Sequence, residues 1–398
     1  MPAKTSSPSR EFSFVAACCA WPLNENRMDV IRIAAEDDHL DWGRFLRIAA
    51  LHRVEGLVNN ALIRAGATAP DAIRSELGTA ATALARENLE LAAEAVRLQR
   101  VFAAAGIPLL FLKGVTLAVL AYGNIGLRHG KDIDLLVALE NATAAVTLIE
   151  RAGYRRHDPP PELNEALVQS LRPIRKDSSF FHESRPFEVE LHWRLLDNPH
   201  MMGAMSIATS SQQVRIGADI MLPTFAEEDL FAYLCAHGAN HCWYRLKWLA
   251  DIGALLGAAS SGEIENLYEA AKVRGAGPAA AQALLLCERL FALSIPDGLL
   301  TQLRSSVRAR WLERIGLWAM TTGNEEIVPP DIPFGATKLT LSRYLLRSSW
   351  GYWLTELRIQ LTSTRDMQML PLPGPLRFLY PVLRVPLWIC RRMMGRAH

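Results

Sequence analysis

Phe111-Leu112-Lys113-Gly114, Arg128, Asp132-Ile133-Asp134-Leu135-Leu136-Val137 and Glu188-Val189-Glu190-Leu191-His192-Trp193 are the segments whose reading decides the fold. Leu109 to Leu112 is a short apolar run closed by Gly114, which predicts a strand, a tight turn and a helix from Val115 to Tyr122. Asp132 to Ala138 predicts a second strand after the glycine-bearing loop Gly123 to Gly130. Residues two apart on a strand share a face, so Asp132 and Asp134 point the same way. Two carboxylates held that close repel each other unless cations lie between them. Hard divalent ions between paired carboxylates suit phosphoryl chemistry on a nucleoside triphosphate.

Working outward, Ala142 to Ala152 reads as a helix ended by Gly153, and Pro159-Pro160-Pro161 as a surface excursion. Phe180-Phe181 and Phe187 to Trp193 predict a hairpin, with Glu183 to Pro186 at its turn. Upstream, residues 1–10 are polar and read as loose. Glu11 to Ala104 then reads as helical, ending in a long Ala-, Leu- and Glu-rich helix from Ala80 to Ala105. Downstream, Thr224 to Cys242 predicts a helix capped by Thr224, with Glu227, Glu228 and Asp229 in its first turns. Trp243 to Leu256 continues the pattern, and Pro278 to Leu293 starts with proline at a favoured position. The expected organisation is a helical N-terminal region (1–104), a mixed-sheet core (105–223), a helical domain (224–330) and a basic, aromatic C-terminal segment (331–398).

Composition narrows the class. The chain has 398 residues, half of them apolar and about a fifth charged, which describes a folded globular protein. A net charge of +2 makes no case for a dedicated nucleic-acid binder. Cys18, Cys19, Cys235, Cys242, Cys287 and Cys390 form no paired framework and read as buried thiols in a reducing compartment. No basic stretch followed by an apolar core opens the chain, and no run of about 18 apolar residues occurs. A cytoplasmic protein without a spanning helix is the expectation.

Lys113-Gly114-Val115-Thr116, Arg128, Asp132-Ile133-Asp134 and Glu190-Leu191-His192-Trp193, in this order and spacing, resemble the polymerase-beta-type nucleotidyltransferase superfamily. Within it, the chain is similar to the uncharacterised bacterial nucleotidyltransferases with the pattern LKG…R…DIDLLV…ELHW. Toxin nucleotidyltransferases of abortive-infection systems share a similar arrangement. The resemblance implies an α+β protein, a small mixed-sheet nucleotidyltransferase core flanked by helical regions. It also implies Mg²⁺-dependent transfer of a nucleoside monophosphate from an NTP to a hydroxyl acceptor on a protein, RNA, small molecule or saccharide, with release of pyrophosphate. Asp132, Asp134 and Glu190 would hold the metal and serve catalysis, Glu190 helping to activate the attacking hydroxyl, with Glu188 as its rival. Lys113, Gly114, Thr116 and Arg128 would bind the nucleotide. The chemistry agrees: lysine meets phosphate as a point charge, arginine as a fork, and glycine lets the backbone approach. Where many members of the superfamily carry Gly-Ser after the first strand, this chain has Lys113-Gly114-Val115-Thr116, which leaves the nucleotide unidentified.

Other readings stay open here. Arg128 could instead form a structural ion pair with Asp132. Lys247 and Asp251 could contact the nucleotide or simply form a helix-stabilising pair. His192 could tune Glu190, contact the base or be structural. His237 and His241, near Cys235 and Cys242, have a zinc-compatible spacing that a packed helix also produces. From Lys338 onward, Lys338, Arg343, Arg347, Arg358, Arg365, Arg377, Arg384, Arg391, Arg392 and Arg396 face only Glu356 and Asp366. Residues 376–398 could therefore contact a membrane peripherally, at its inner face, or pack on the protein. Pro381 and Pro386 argue against one regular helix there. A catalytically inactive nucleotide-binding scaffold at such a surface, and a toxin-like enzyme acting on RNA or protein, are the alternative functions.

Overall fold

The computed structural model describes residues 8–163, 165–172, 175–203, 211–322 and 337–394. Of the expected loose start (1–10), residues 1–7 lie outside them, as does the expected boundary at 330/331, whereas Ser9 caps the first helix and Arg10 opens it. Five helices open the chain: α1 (Arg10–Cys18), α2 (Glu25–Ala35), α3 (Trp42–His52), α4 (Glu55–Ala65) and α5 (Asp71–Ala104). Ser9, Asn24 and Asp41 cap α1, α2 and α3 by accepting backbone N–H bonds. Helix α5 starts well before the expected Ala80, since Pro70 precedes it and nothing in Asp71 to Thr79 breaks a helix.

The core then alternates strands and helices: β1 (Leu109–Phe111), α6 (Val115–Tyr122), β2 (Asp132–Val137), α7 (Ala142–Arg151), β3 (Tyr154–Asp158), α8 (Glu165–Leu171), β4 (Asp177–His182) and β5 (Arg185–His192). The sheet order is β1-β2-β5-β4-β3. Strand β2 runs parallel to β5, while the other neighbours are antiparallel. The expected hairpin is β4–β5. A second sheet, β6 (Ser211–Arg215) with β7 (Met221–Phe225), packs near β1, where the Thr224 hydroxyl donates to the Phe111 carbonyl at 2.6 Å. Thr224 is therefore a strand residue and not the expected cap; Ala226 is the N-cap of the next helix and supplies no side-chain bond.

One face of the five-stranded sheet is apolar. Ile133, Leu135, Val137, Val189 and Leu191 pack with Leu91, Ala95, Leu98 and Phe102 of α5 and with Ala142, Ala145 and Ile149 of α7. Each fully buried leucine contributes about 2 kcal/mol, and alternation sends its neighbours to the other face. Buried Glu94 of α5 accepts the Tyr154 hydroxyl at 2.8 Å and pairs with Arg97 and Arg185, fastening β3 and β5 to α5.

The following helices are α9 (Glu227–Asn240), α10 (Leu246–Leu256), α11 (Ser261–Val273), α12 (Gly277–Phe291), α13 (Asp297–Ser305) and α14 (Val307–Thr321). They share one hydrophobic core with α1 to α4. The two helical regions that flank the sheet in sequence are thus joined in space. The helix expected from Trp243 begins only at Leu246, because Cys242 and Trp243 take left-handed backbone (φ 52° and 55°). That turn folds the Trp243 ring onto α9 at Gly238, where a Cβ would come within 2.3 Å of the ring.

Helices α15 (Thr337–Tyr344), α16 (Trp350–Gln360), α17 (Thr364–Met369) and α18 (Tyr380–Met394) complete the described chain. Contrary to the proline expectation, α18 runs through Pro386. Proline inside a helix removes one backbone bond; here the turns on either side persist. Five cysteines are buried as expected, but Cys390 is exposed, on the outward side of α18.

Candidate active site

The pairing of β2 with β5 builds the site. Asp132 is level with Glu188 and Asp134 with Glu190, so four acids from two segments some fifty residues apart in sequence share the polar face of the sheet. Asp134 is buried and is contacted from two sides: Lys113 Nζ lies 3.1 Å from Oδ1, and His192 Nε2 lies 3.3 Å from the same oxygen. His192 Nε2 is also 3.3 Å from Glu190 Oε2. Gly114 places Lys113. With φ +70° and ψ −131° it turns the chain from β1 into α6, and at that conformation a side chain is strained although no atom blocks it. The Thr116 hydroxyl donates to the Lys113 carbonyl at 3.1 Å, so it braces the same turn.

The charges follow from these contacts. Burial pushes the Asp134 carboxyl up, but Lys113 and His192 outweigh it and hold the group well below the usual carboxylate range. Glu190 is raised, by burial and then by neighbouring Asp134, despite its bond to His192. Burial and Lys176 disfavour a charged His192, yet the bonds to Asp134 and Glu190 prevail and raise it. Lys113 is likewise raised: burial works against the ammonium and Asp134 outweighs it. Asp134 and Glu190 thus respond in opposite directions at neighbouring positions, a division seen at sites that handle protons.

The structure adds groups that sequence reasoning missed. Lys176 and Asp177, at the start of β4, form an ion pair beside His192, whose Nδ1 is 3.7 Å from Asp177 Oδ2. Burial pushes Asp177 up, but Lys176 and His192 bring it down to about 2. Tyr233 of α9 is buried beside the same charges, and its hydroxyl has no hydrogen-bond partner among the described residues. None of these three carried a sequence signal, because they reach the site through the order of the sheet and the packing of α9. Asn88 of α5 donates to the carbonyls of Ile125 (2.6 Å) and Arg128 (2.8 Å) and so fixes the loop before β2.

The remaining expectations fall differently. Arg128 does not pair with Asp132; its Nε donates to both carboxylate oxygens of Asp251 at 3.0 Å. The Tyr122 hydroxyl donates to the same carboxylate at 3.1 Å. Asp251 is therefore enclosed as the anchor of Arg128 and does not serve as the i,i+4 partner of Lys247. Lys247 Nζ donates to the His129 carbonyl at 3.4 Å; burial, then Arg128, lowers it to about 7. Glu188 is engaged by His157 Nε2 at 2.7 Å, which leaves Glu190 as the acid beside Asp134. His237 meets the Trp248 ring edge to face and His241 meets it at a tilt, with the two imidazoles also in contact. Among the described residues they belong to no group of three ligands, and the sulfur of Cys242 contacts the Ser342 hydroxyl.

Asp134, Glu190 and His192 are such a group: one ligand atom from each lies within 4.8 Å of the others. Among the described residues Asp134 Oδ2 is buried without a hydrogen-bond partner, as a carboxylate oxygen reserved for a cation would be. Two carboxylates suit a hard divalent ion, so the residues fit one. Asp132, half-buried at the mouth, lines a depression with Lys113, Gly114, Gly130 and Asp134.

A family model described as "Uncharacterised nucleotidyltransferase" matches residues 38–292, from just before α3 to the end of α12. The chain belongs to this nucleotidyltransferase family. No curated protein matches it. The matched span contains the whole sheet, Asn88 and the Arg128–Asp251 anchor. It stops before the C-terminal helices. Among the described residues no helix is long and apolar enough to cross a membrane.

Proposed function

We propose that the protein is a Mg²⁺-dependent nucleotidyltransferase that moves a nucleoside monophosphate from an NTP to a hydroxyl acceptor. The observation that carries this reading is the in-register pairing of Asp132-Ile133-Asp134 with Glu188-Val189-Glu190 under Lys113. Asp134 and Glu190, with Asp132 at the mouth, would hold the cation, which supplies charge neutralisation on the transferring phosphoryl group. Lys113 and Lys247 are the cations available to phosphate oxygens, and Arg128 shapes the same wall from its seat on Asp251. Glu190, raised by burial and by Asp134, takes the proton of the acceptor hydroxyl. The acceptor oxygen then bonds to the α-phosphorus, the bond from that phosphorus to the bridging oxygen breaks, and pyrophosphate leaves. His192 Nε2 lies against both Asp134 and Glu190 and bridges the two carboxylates. A location in the cytoplasm, where NTPs are abundant, belongs to this reading.

Incubation of the full chain and a cell extract with each α-labelled NTP in Mg²⁺ tests it. Label is expected on an acceptor, and Asp134→Asn is expected to cut the transfer by about a thousandfold or more. Equal labelling by wild type and Asp134→Asn, both shown to be folded, would remove the assignment.

A further inference from the structure

Helix α18 carries its charges on the wrong side for a surface helix. Tyr380, Arg384 and Leu387 are buried, and Arg384 and Arg391 both reach the buried Asp366 of α17. The opposite side presents Val382, Val385, Pro386, Ile389, Cys390 and Met393 to solvent. These positions recur every three or four residues and form one stripe along the helix. Val382 is 74% and Met393 69% exposed. Ordinary surface helices turn the apolar stripe inward; here arginines are spent inside on Asp366 and the apolar stripe faces water. A continuous apolar stripe left in water marks a surface meant to be covered.

Charge selects what covers it. Residues 337–394 hold nine Lys and Arg against two acids. Both acids are buried on arginines, Glu356 with Arg343 and Asp366 with Arg384 and Arg391. The segment therefore presents no acid to solvent, while Arg358 and Arg365 are exposed. Trp350 and Phe378 are also exposed, at 76% and 71%, and aromatic rings favour the headgroup level of a bilayer. An apolar stripe on a segment whose outward charge is all cationic complements anionic phospholipid. With no helix among the described residues long and apolar enough to span, α18 would lie in the plane of the interface.

We propose that α18 docks the protein peripherally on an anionic phospholipid surface, with Val382, Val385, Ile389 and Met393 entering the acyl boundary. This does not depend on the enzymatic reading, since the stripe lies outside the catalytic sheet. The test is co-sedimentation of the full chain with vesicles of phosphatidylcholine alone or mixed with phosphatidylglycerol, together with light scattering of the protein without lipid. We expect binding to the mixed vesicles, weakened roughly tenfold or more by the exposed-face pair Val385→Glu/Ile389→Glu and reduced by added salt. Phosphatidylcholine alone should bind far less. Because both substituted residues are exposed, circular dichroism and the urea midpoint should match the wild type. No binding to mixed vesicles, or binding indifferent to the pair of substitutions, overturns the proposal. So does a lipid-free dimer that the same pair dissociates, because the stripe would then be covered by a second copy.

Discussion

At the scale of single residues, Arg128 and Asp251 are the pair on which the site wall depends. Both are buried, and Asp251 satisfies Arg128 Nε and the Tyr122 hydroxyl together. Removing one member leaves the other charge buried without its counter-ion, which costs about 3–5 kcal/mol. Arg128→Met should therefore lower the unfolding free energy by roughly 3 kcal/mol in urea titrations. Arg128→Met/Asp251→Leu should recover at least half of that loss, because neither charge is then stranded. A double variant no more stable than the single one would show that the pair is not the unit described. If the recovered variant remains inactive in transfer, Arg128 also serves the nucleotide. The sequence made Arg128 visible through its spacing to Asp132-Ile133-Asp134, but not its partner, which lies more than a hundred residues downstream.

At the scale of elements, the β1–α6 turn couples backbone conformation to chemistry. Gly114 has positive φ, and the added methyl of Gly114→Ala would meet nothing closer than the Asp132 carbonyl at 3.9 Å. The penalty is thus backbone strain, about 1–3 kcal/mol, rather than a clash. Relief of that strain would rotate Lys113 away from Asp134. We expect Gly114→Ala to lower the melting temperature modestly and to reduce transfer more than tenfold. A variant with a lowered melting temperature and full activity would separate the turn from the site. Strands β1, β2 and the β4–β5 hairpin were legible because apolar runs and turn residues bound them. Strands β3 and β6 were not: Tyr154-Arg155-Arg156-His157-Asp158 and Ser211-Gln212-Gln213-Val214-Arg215 each bury little more than one side chain. Such segments become strands only because a neighbouring edge offers hydrogen bonds.

At the scale of the whole molecule, buried histidines tie stability to pH. His52 is enclosed between α3 and the start of α10, where its Nδ1 accepts the Leu246 N–H at 3.0 Å. Burial, then Arg245, lowers it to about 4. Burial likewise lowers His129 and His241 to about 3, helped by Lys247 and Arg343 respectively. A histidine with a depressed folded pKa binds fewer protons folded than unfolded between that value and its ordinary value near 6.5. Stability from these rings is complete above about 6.5 and is lost as the pH falls toward 4. The unfolding free energy from urea titrations should therefore drop between pH 7.5 and pH 5, by an amount on the order of 1–2 kcal/mol for His52 alone. His52→Gln should flatten that slope, whatever it does to stability at neutral pH. An unchanged slope would mean that His52 is not the ring being protonated.

The sequence by itself determined the two acid-bearing strands and the lysine-glycine turn before them. The pattern Lys113-Gly114, Asp132-Ile133-Asp134 and Glu190-Leu191-His192-Trp193 is local, and alternation along a strand assigns each side chain a face without knowledge of anything distant. Tertiary structure alone decided the partners. Parallel pairing of β2 with β5 set Glu190 level with Asp134, the sheet order brought Lys176 and Asp177 to His192, and packing of α10 gave Arg128 its Asp251. It also turned the apolar side of α18 outward, because buried Asp366 claims Arg384 and Arg391. Such choices depend on which charges are desolvated together, and burial is a property of the assembled fold and not of any stretch of chain.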